Sequence, residues 1–149
     1  MDIPNLIDNS ERIVRVLFYP SDFEDGKLCW IAFRSSNGAD SASVIRIDFC
    51  SENFCKDWGK NIQRKENGRG YYGLGVLNAI EIRSVGAEVI YSKTLKNLYH
   101  SHITVGYKFE KGKVPPANVK HKLEILAEKA RKYKDSAPDQ DVWIDSKVV

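Results

Sequence analysis

The chain has 149 residues, of which 42% are hydrophobic, 11% aromatic and 29% charged. This length and composition suit a single domain, residues 1–149, with its own core, and they exclude collagen-like, coiled-coil, disulfide-rich and low-complexity proteins. The three cysteines are an odd number without a CxxC motif, and residues 1–5 lack the start of a signal peptide, so we expect a cytoplasmic protein. No apolar stretch approaches the roughly 20 residues that a spanning helix needs, and we expect no membrane partner.

Three strands are predicted in the first third of the chain. Residues 13–19 are β-branched and aromatic, which favours a strand. Residues 27–34 follow a turn and are predicted to return beside it as a hairpin-like partner. In residues 42–49 apolar side chains alternate with Arg46 and Asp48, which indicates a half-buried strand with one polar face.

Two helices are predicted in the middle of the chain. Ser51 is a suitable N-cap for a helix over residues 52–62, whose apolar residues recur at helical spacing. Residues 63–70 form a charged loop. Residues 74–85 are predicted to form the second helix, with Gly86 as its C-terminal stop.

The last third is predicted to contain two strands, a helix and a tail. The strands are residues 87–92 and 100–109, and the helix covers residues 117–134. Residues 135–149 form an acidic tail whose segment 142–144 is apolar and is expected to latch onto the body. The order of elements predicts an α+β fold, a mostly antiparallel or mixed sheet of about five strands with three helices packed on one face.

Two histidines suggest a catalytic patch. His100 and His102 are two residues apart on a predicted strand, so both rings project from its polar face. If the strand carrying Arg46 and Asp48 is its neighbour, the four side chains form one patch. His100 would then act as the base, His102 as the acid, Asp48 as the residue that orients a histidine and Arg46 as the anion holder of a small phosphoesterase or nuclease. The alternative is a solvated sheet face with charges paired across the strands.

Basic charge is concentrated late in the chain. Residues 108–134 contain nine basic and three acidic residues, and basic residues beside tyrosines also lie around the loop at 63–70. Basic side chains contact phosphates and aromatic rings stack on bases, so the first hypothesis is a domain that binds an anionic partner, nucleic acid above all. The candidate contacts are Arg64, Lys65, Arg69, Tyr71 and Tyr72 from the loop, and Lys120, Lys129 and Lys132 from the helix.

A third hypothesis is an accessory subunit without catalytic activity that binds a protein partner. Trp30, Tyr99 and Trp143 would be the anchors of such an interface. The sequence leaves this alternative open, and it leaves the oligomeric state open.

No cofactor or metal is expected. The GxGxxG pattern at residues 68–73 follows a polar segment rather than a strand, which a dinucleotide site would require. Cys50, Cys55, His100 and His102 have the residue types of a zinc site, but Cys55 falls on the apolar face of the predicted helix, where a buried thiol is expected.

Overall fold

The computed structural model describes residues 2–149, which form eight strands and three α-helices. The strands are Arg12–Pro20 (β1), Phe23–Glu24 (β2), Lys27–Leu28 (β3), Ser41–Arg46 (β4), Arg69–Asn78 (β5), Glu88–Tyr91 (β6), His100–Thr104 (β7) and Arg131–Lys134 (β8). The helices are Glu52–Ile62 (α1), Ala79–Ser84 (α2) and Ala117–Lys129 (α3). Short 3-10 helices lie at Trp30–Phe33, Ile47–Phe49 and Lys65–Asn67.

Six of the strands form one antiparallel sheet in the order β6-β7-β4-β1-β5-β8, and β2 and β3 form a separate small hairpin. The long strands β1 and β5 pair along their whole length, from Arg12 opposite Asn78 to Pro20 opposite Arg69. The predicted α+β class with a mostly antiparallel sheet is therefore confirmed.

The central strands bury both of their faces, so the sheet has a core on each side. Ile13, Leu17 and Leu77 pack with α2 and α3, and we call this side the α2–α3 face. The alternate residues Val14 and Val16 pack with α1 on the opposite side, the α1 face. The helices thus lie on both faces of the sheet, in contrast to the expectation that all three share one.

Helix α1 begins as predicted, because the Ser51 side chain accepts a hydrogen bond from the Phe54 N–H at 3.2 Å. The prediction of a helix over residues 74–85 is wrong for its first half. Residues up to Asn78 belong to β5, and only Ala79–Ser84 is helical. Strand pairing explains the difference, because residues 73–76 lie between β1 and β8 in the sheet. A Cβ at Gly73 would overlap the Tyr133 carbonyl of β8, so this close approach requires glycine.

Other boundaries also differ from the predictions, and the strands expected over residues 42–49 and 100–109 end earlier, at Arg46 and Thr104. The strand expected over residues 27–34 is limited to Lys27–Leu28 and continues as a 3-10 helix. Helix α3 ends at Lys129, and residues 131–134 form the edge strand β8. The sheet has six strands rather than about five because β5 and β8 join it, whereas residues 27–34 do not.

The C-terminal tail packs over α1. The Lys56 ammonium is fully buried, lies 3.0 Å from an Asp135 carboxylate oxygen, and donates hydrogen bonds to two carbonyl oxygens of the tail. The predicted apolar latch is formed in part: Trp143 packs against the α1-face core, whereas Val142 and Ile144 are about half exposed and Val148 is buried instead.

Candidate anion-binding site

Strands β1 and β4 separate soon after they meet. Their ladder consists of Ile13 opposite Arg46 and Val14 opposite Ile45. Beyond this point β1 remains paired with β5, while β4 remains paired with β7 as far as Ser41 opposite Thr104. The two halves of the sheet therefore diverge and leave an opening between them.

A cavity of ≈ 430 Å³ occupies this opening. Its polar side chains are arginines and serines, its apolar ones include Trp58 and Ile62 of α1, and no aspartate or glutamate of the described residues 2–149 lines it. We call this cavity the arginine cleft, and its polar lining consists of Arg15, Arg34, Arg69, Ser35, Ser36, Ser41 and Ser43.

Arg15 crosses the gap between the strands. Its Nε donates a hydrogen bond to the Ala32 carbonyl at 2.8 Å, and its Nη1 donates to the Ser43 carbonyl at 2.7 Å. Burial lowers the pKa of the Arg15 guanidinium, an effect that Asp22 opposes and the positive charge of Arg69 reinforces. Arg15 remains charged, so its positive charge is held in a place where solvent stabilises it poorly.

The other two arginines are held by aromatic rings. The Arg69 guanidinium carbon lies 4.5 Å from the centre of the Phe18 ring, and that of Arg34 lies 5.0 Å from the Phe109 ring. Arg34 also donates to the Asn37 side-chain oxygen at 2.7 Å. Stacking of this kind fixes the plane of a guanidinium and leaves N–H groups at its edge for an acceptor.

These three arginines differ from most of the others in the protein. Within residues 2–149, none of the three has a carboxylate oxygen within 4.0 Å. Four arginines outside the cleft form ion pairs with carboxylates: Arg12, Arg46, Arg83 and Arg131. The arginine cleft therefore concentrates positive charge that the fold does not pair.

Asp22 is a counter-charge that acts on the cleft from outside its lining. Its side chain is buried and accepts a hydrogen bond from the Phe18 N–H at 2.8 Å. Burial raises the pKa of the Asp22 carboxyl, while the nearby Arg15 and Arg69 work in the opposite direction. It modulates the cleft's potential without occupying it.

His100 and His102 project from the α1 face of β7, on the half of the sheet that α1 does not cover. Both are partly exposed, and the intervening Ser101 is buried on the other side, so the predicted orientation of the two rings is correct. His100 Nδ1 lies 2.9 Å from the Ser92 carbonyl oxygen, and its Nε2 lies 3.0 Å from Ser43 Oγ. His102 Nδ1 lies 2.9 Å from Ser92 Oγ.

The structure does not bring Arg46 and Asp48 to these histidines. Strands β4 and β7 are neighbours, as the hypothesis required, but Ile45 rather than Arg46 lies opposite His100. Side chains alternate along a strand, so Arg46 points to the other face, where it is fully buried and paired with Glu11 at 2.9 Å. Asp48 lies in the 3-10 helix after β4, not on the strand, and pairs with Arg12. The side chain that faces His100 is Ser43, which the sequence analysis did not select.

The residues of the predicted basic loop are dispersed. Arg64 and Lys65 are exposed at a turn that an isolated bridge between Arg64 and Arg69 closes. Tyr71 is buried and donates from its hydroxyl to Asp135 at 2.8 Å. Tyr72 is half-buried, with its ring 4.6 Å from that of Phe23. Neither tyrosine presents a free ring for stacking on a base, and of this loop only Arg69 lines the arginine cleft.

The predicted basic helix offers a mixed surface. The Lys120 ammonium lies 5.5 Å from the centre of the Trp30 ring, Lys129 is the last residue of α3, and Lys132 is on β8. Lys120 and Lys132 line a groove together with Lys27, and three glutamates line it with them: Glu24, Glu124 and Glu128. The three positive charges of this groove are therefore balanced by three negative ones.

The proposed interface anchors do not form one exposed patch. Trp30 packs on the α2–α3 core, and Tyr99 and Trp143 pack on the α1-face core. Between Asp2 and Val149 no group of three or more His, Cys, Asp or Glu side chains is placed to hold a metal ion, and no helix is long and apolar enough to cross a membrane.

Comparisons with known proteins give no relative for this chain. No family model, no curated protein and no solved structure matches it.

Proposed function

We propose that this protein binds an anionic ligand, with a phosphate group held in the arginine cleft. The observation that supports this proposal is the convergence of Arg15, Arg34 and Arg69 on one cavity in which, among residues 2–149, no carboxylate neutralises them. Guanidinium groups match the oxygen geometry of a phosphate, and serine hydroxyls complete such a site.

The energetics of the free cleft favour an anion. Burial disfavours the charge of Arg15, and the positive charge of Arg69 disfavours it further. A dianion between them would remove this repulsion and accept charge-assisted hydrogen bonds, each worth about 1.5–3 kcal/mol. The ligand thus supplies the direct counter-charge that no carboxylate of residues 2–149 provides within 4.0 Å of these arginines.

The cavity's volume suits a small molecule. At ≈ 430 Å³ it lies within the range of roughly 300–1,000 Å³ that is usual for small-molecule sites. Trp58 and Ile62 provide an apolar wall beside the arginines, so a ligand with a phosphate and an apolar or aromatic part fits better than inorganic phosphate alone. A nucleic acid, the partner expected from the sequence, would contact the cleft through a single phosphate rather than through a basic surface.

Calorimetric titration with inorganic phosphate at constant ionic strength tests this proposal. A ceiling of about 1.5 kcal/mol per non-hydrogen atom limits phosphate to about 7.5 kcal/mol, so we expect a Kd between roughly 5 µM and 1 mM. Arg69→Gln should weaken binding about 10- to 150-fold, which corresponds to the loss of one charge-assisted contact.

Arg64→Gln is the matched control. It removes the same charge from the same turn, but the Arg64 side chain is exposed and does not line the cleft. The Kd of this variant should stay within about twofold of the wild-type value, because an exposed charge that makes no direct contact with the ligand contributes little. Equal losses in the two variants, or no saturable binding by the folded wild-type protein, would contradict the proposal. Parallel titrations with a single-stranded oligonucleotide, with and without a 5′-phosphate, separate nucleic-acid binding from recognition of a terminal phosphate.

A further inference from the structure

We propose that Ser43 is a nucleophile, with His100 as its base, and that the protein cleaves a phosphoester whose phosphate occupies the arginine cleft. The geometry points to this through the 3.0 Å contact between Ser43 Oγ and His100 Nε2 at the edge of the cleft. The assignment of the substrate class rests on the proposed phosphate binding, whereas the assignment of the Ser43–His100 pair stands on its own contacts.

The contacts of His100 define which ring nitrogen carries the proton. A carbonyl oxygen can only accept, so the Ser92 carbonyl at 2.9 Å requires a proton on His100 Nδ1. In the neutral ring Nε2 is then unprotonated and accepts the hydrogen bond from the Ser43 hydroxyl. This is the arrangement in which a histidine activates a serine, with the Ser92 carbonyl in the role of the group that orients the base.

Ser92 is a positioning residue for both histidines. Its hydroxyl lies 2.9 Å from His102 Nδ1 and 3.0 Å from His100 Nδ1. Burial lowers the pKa of His102, and the neighbouring His100 adds to the effect. His102 therefore remains neutral near pH 7 and accepts the Ser92 hydroxyl proton as a hydrogen bond, which holds Ser92 beside His100.

The serine is also connected to the cleft. Ser43 is exposed on the α1 face, and its carbonyl accepts the hydrogen bond from Arg15 Nη1 at 2.7 Å. A phosphate bound by Arg15 therefore lies close to the backbone of the residue that carries the hydroxyl. The guanidinium groups would stabilise the charge on the oxygens of the transferred phosphoryl group, which is how arginines act in phosphoryl transfer.

The reaction proceeds in two displacements at phosphorus. Ser43 Oγ attacks and forms the Oγ–P bond as the bond to the leaving oxygen breaks, and His100 Nε2 takes the serine proton and gives it to the leaving alkoxide. Water then attacks phosphorus, His100 takes a proton from the water, and the Oγ–P bond breaks. His100 returns that proton to Ser43, so that the products are an alcohol and inorganic phosphate.

A neutral alkyl fluorophosphonate tests the Ser43–His100 pair directly. An activated serine displaces fluoride and keeps the Oγ–P bond, and peptide mass spectrometry locates the adduct. Because the probe carries no charge, its reaction does not need the arginines. We expect adduct formation on Ser43, its loss in Ser43→Ala, and a rate about 10²- to 10⁴-fold lower in His100→Gln.

His121→Gln and Ser84→Ala are the controls, since both residues are exposed on helices outside the site. They should react like the wild-type protein. No adduct on Ser43, or an equal rate in His100→Gln, would overturn the Ser43–His100 pair even if phosphate binds.

Hydrolysis of para-nitrophenyl phosphate tests the phosphoester assignment. Release of para-nitrophenolate should depend on both Ser43 and Arg69, and no release by the wild-type protein would overturn this assignment. Adduct formation without phosphate binding would instead disprove the proposed function, while the assignment of Ser43 as an activated serine would remain supported.

Discussion

Replacing Asp22 by asparagine should strengthen anion binding, although Asp22 is not part of the cleft lining. The substitution removes a buried negative charge that acts on Arg15 and Arg69. It keeps an oxygen that can accept the hydrogen bond from the Phe18 N–H. The fold should therefore persist while the potential of the cleft becomes more positive.

The magnitude follows from Coulomb's law. For a dianion about 10 Å from Asp22 and an effective dielectric constant of about 20, the repulsion from the unit charge of Asp22 is about 3.3 kcal/mol. Removing it should lower the Kd by up to about 250-fold. Sulfate is the suitable probe because its charge does not change over the useful pH range, and calorimetry at pH 7.5 and constant ionic strength gives the Kd.

The effect should depend on pH with a defined sign. Burial raises the pKa of Asp22 above its ordinary value of 3.8, so acidification protonates this carboxyl earlier than an exposed one. Wild-type binding should approach that of Asp22→Asn as the pH falls through the raised pKa. Asp25→Asn, the same change at an exposed position, is the control and should leave the Kd unchanged. An Asp22→Asn variant that is folded and binds sulfate no more tightly than the wild-type protein would refute this reasoning.

Two further predictions concern stability. Arg46→Met leaves Glu11 buried without its partner, and it should lower the free energy of unfolding, measured in urea, by about 3–5 kcal/mol. Arg12→Met, at a partly exposed ion pair, should lower it by no more than about 1 kcal/mol. An Arg46→Met loss as small as that of Arg12→Met would disprove a structural role for Arg46. Because the pKa of His102 is lowered in the folded state, the unfolded chain binds this proton more tightly, so the free energy of unfolding should fall as the pH drops below about 6.5. His102→Gln should reduce that slope, and an unchanged slope would show that other groups cause it.

Local signals in the sequence predict the type of an element where its residue preferences agree with the folded structure. The N-cap Ser51 and the apolar spacing after it identify α1, and the β-branched run of β1 identifies a strand. Gly73 is a residue whose structural role is not local. Its role is to admit the Tyr133 carbonyl of a distant strand, and without that contact residues 74–78 have the spacing of a helix.

The candidate site was predictable in one respect. Alternation along β7 places His100 and His102 on the same open face, which depends on the chain's own periodicity alone. Their partners depend on register, because a shift of one residue exchanges the two faces of β4. The register that pairs Ile45 with His100 places Ser43, not Arg46, on the histidine face.

The arginine cleft has no local signal. Its three arginines come from β1, from the segment after a 3-10 helix and from the start of β5, and they converge only because β1 and β4 separate. The excess basic charge in residues 108–134 favours lysines instead, but glutamates balance the lysines that line the groove beside α3. Unpaired charge is a property of the folded arrangement rather than of composition.

The most direct test of phosphate binding in the cleft is an NMR titration that follows the arginine Nε–Hε signals. With inorganic phosphate, the signals of Arg15, Arg34 and Arg69 should shift together and saturate with a single Kd, while the Arg64 signal should not move. Two results would contradict phosphate binding in the cleft. One is a shift of the Arg64 signal equal to that of the Arg69 signal, and the other is that the signals of all three cleft arginines remain unchanged at millimolar phosphate.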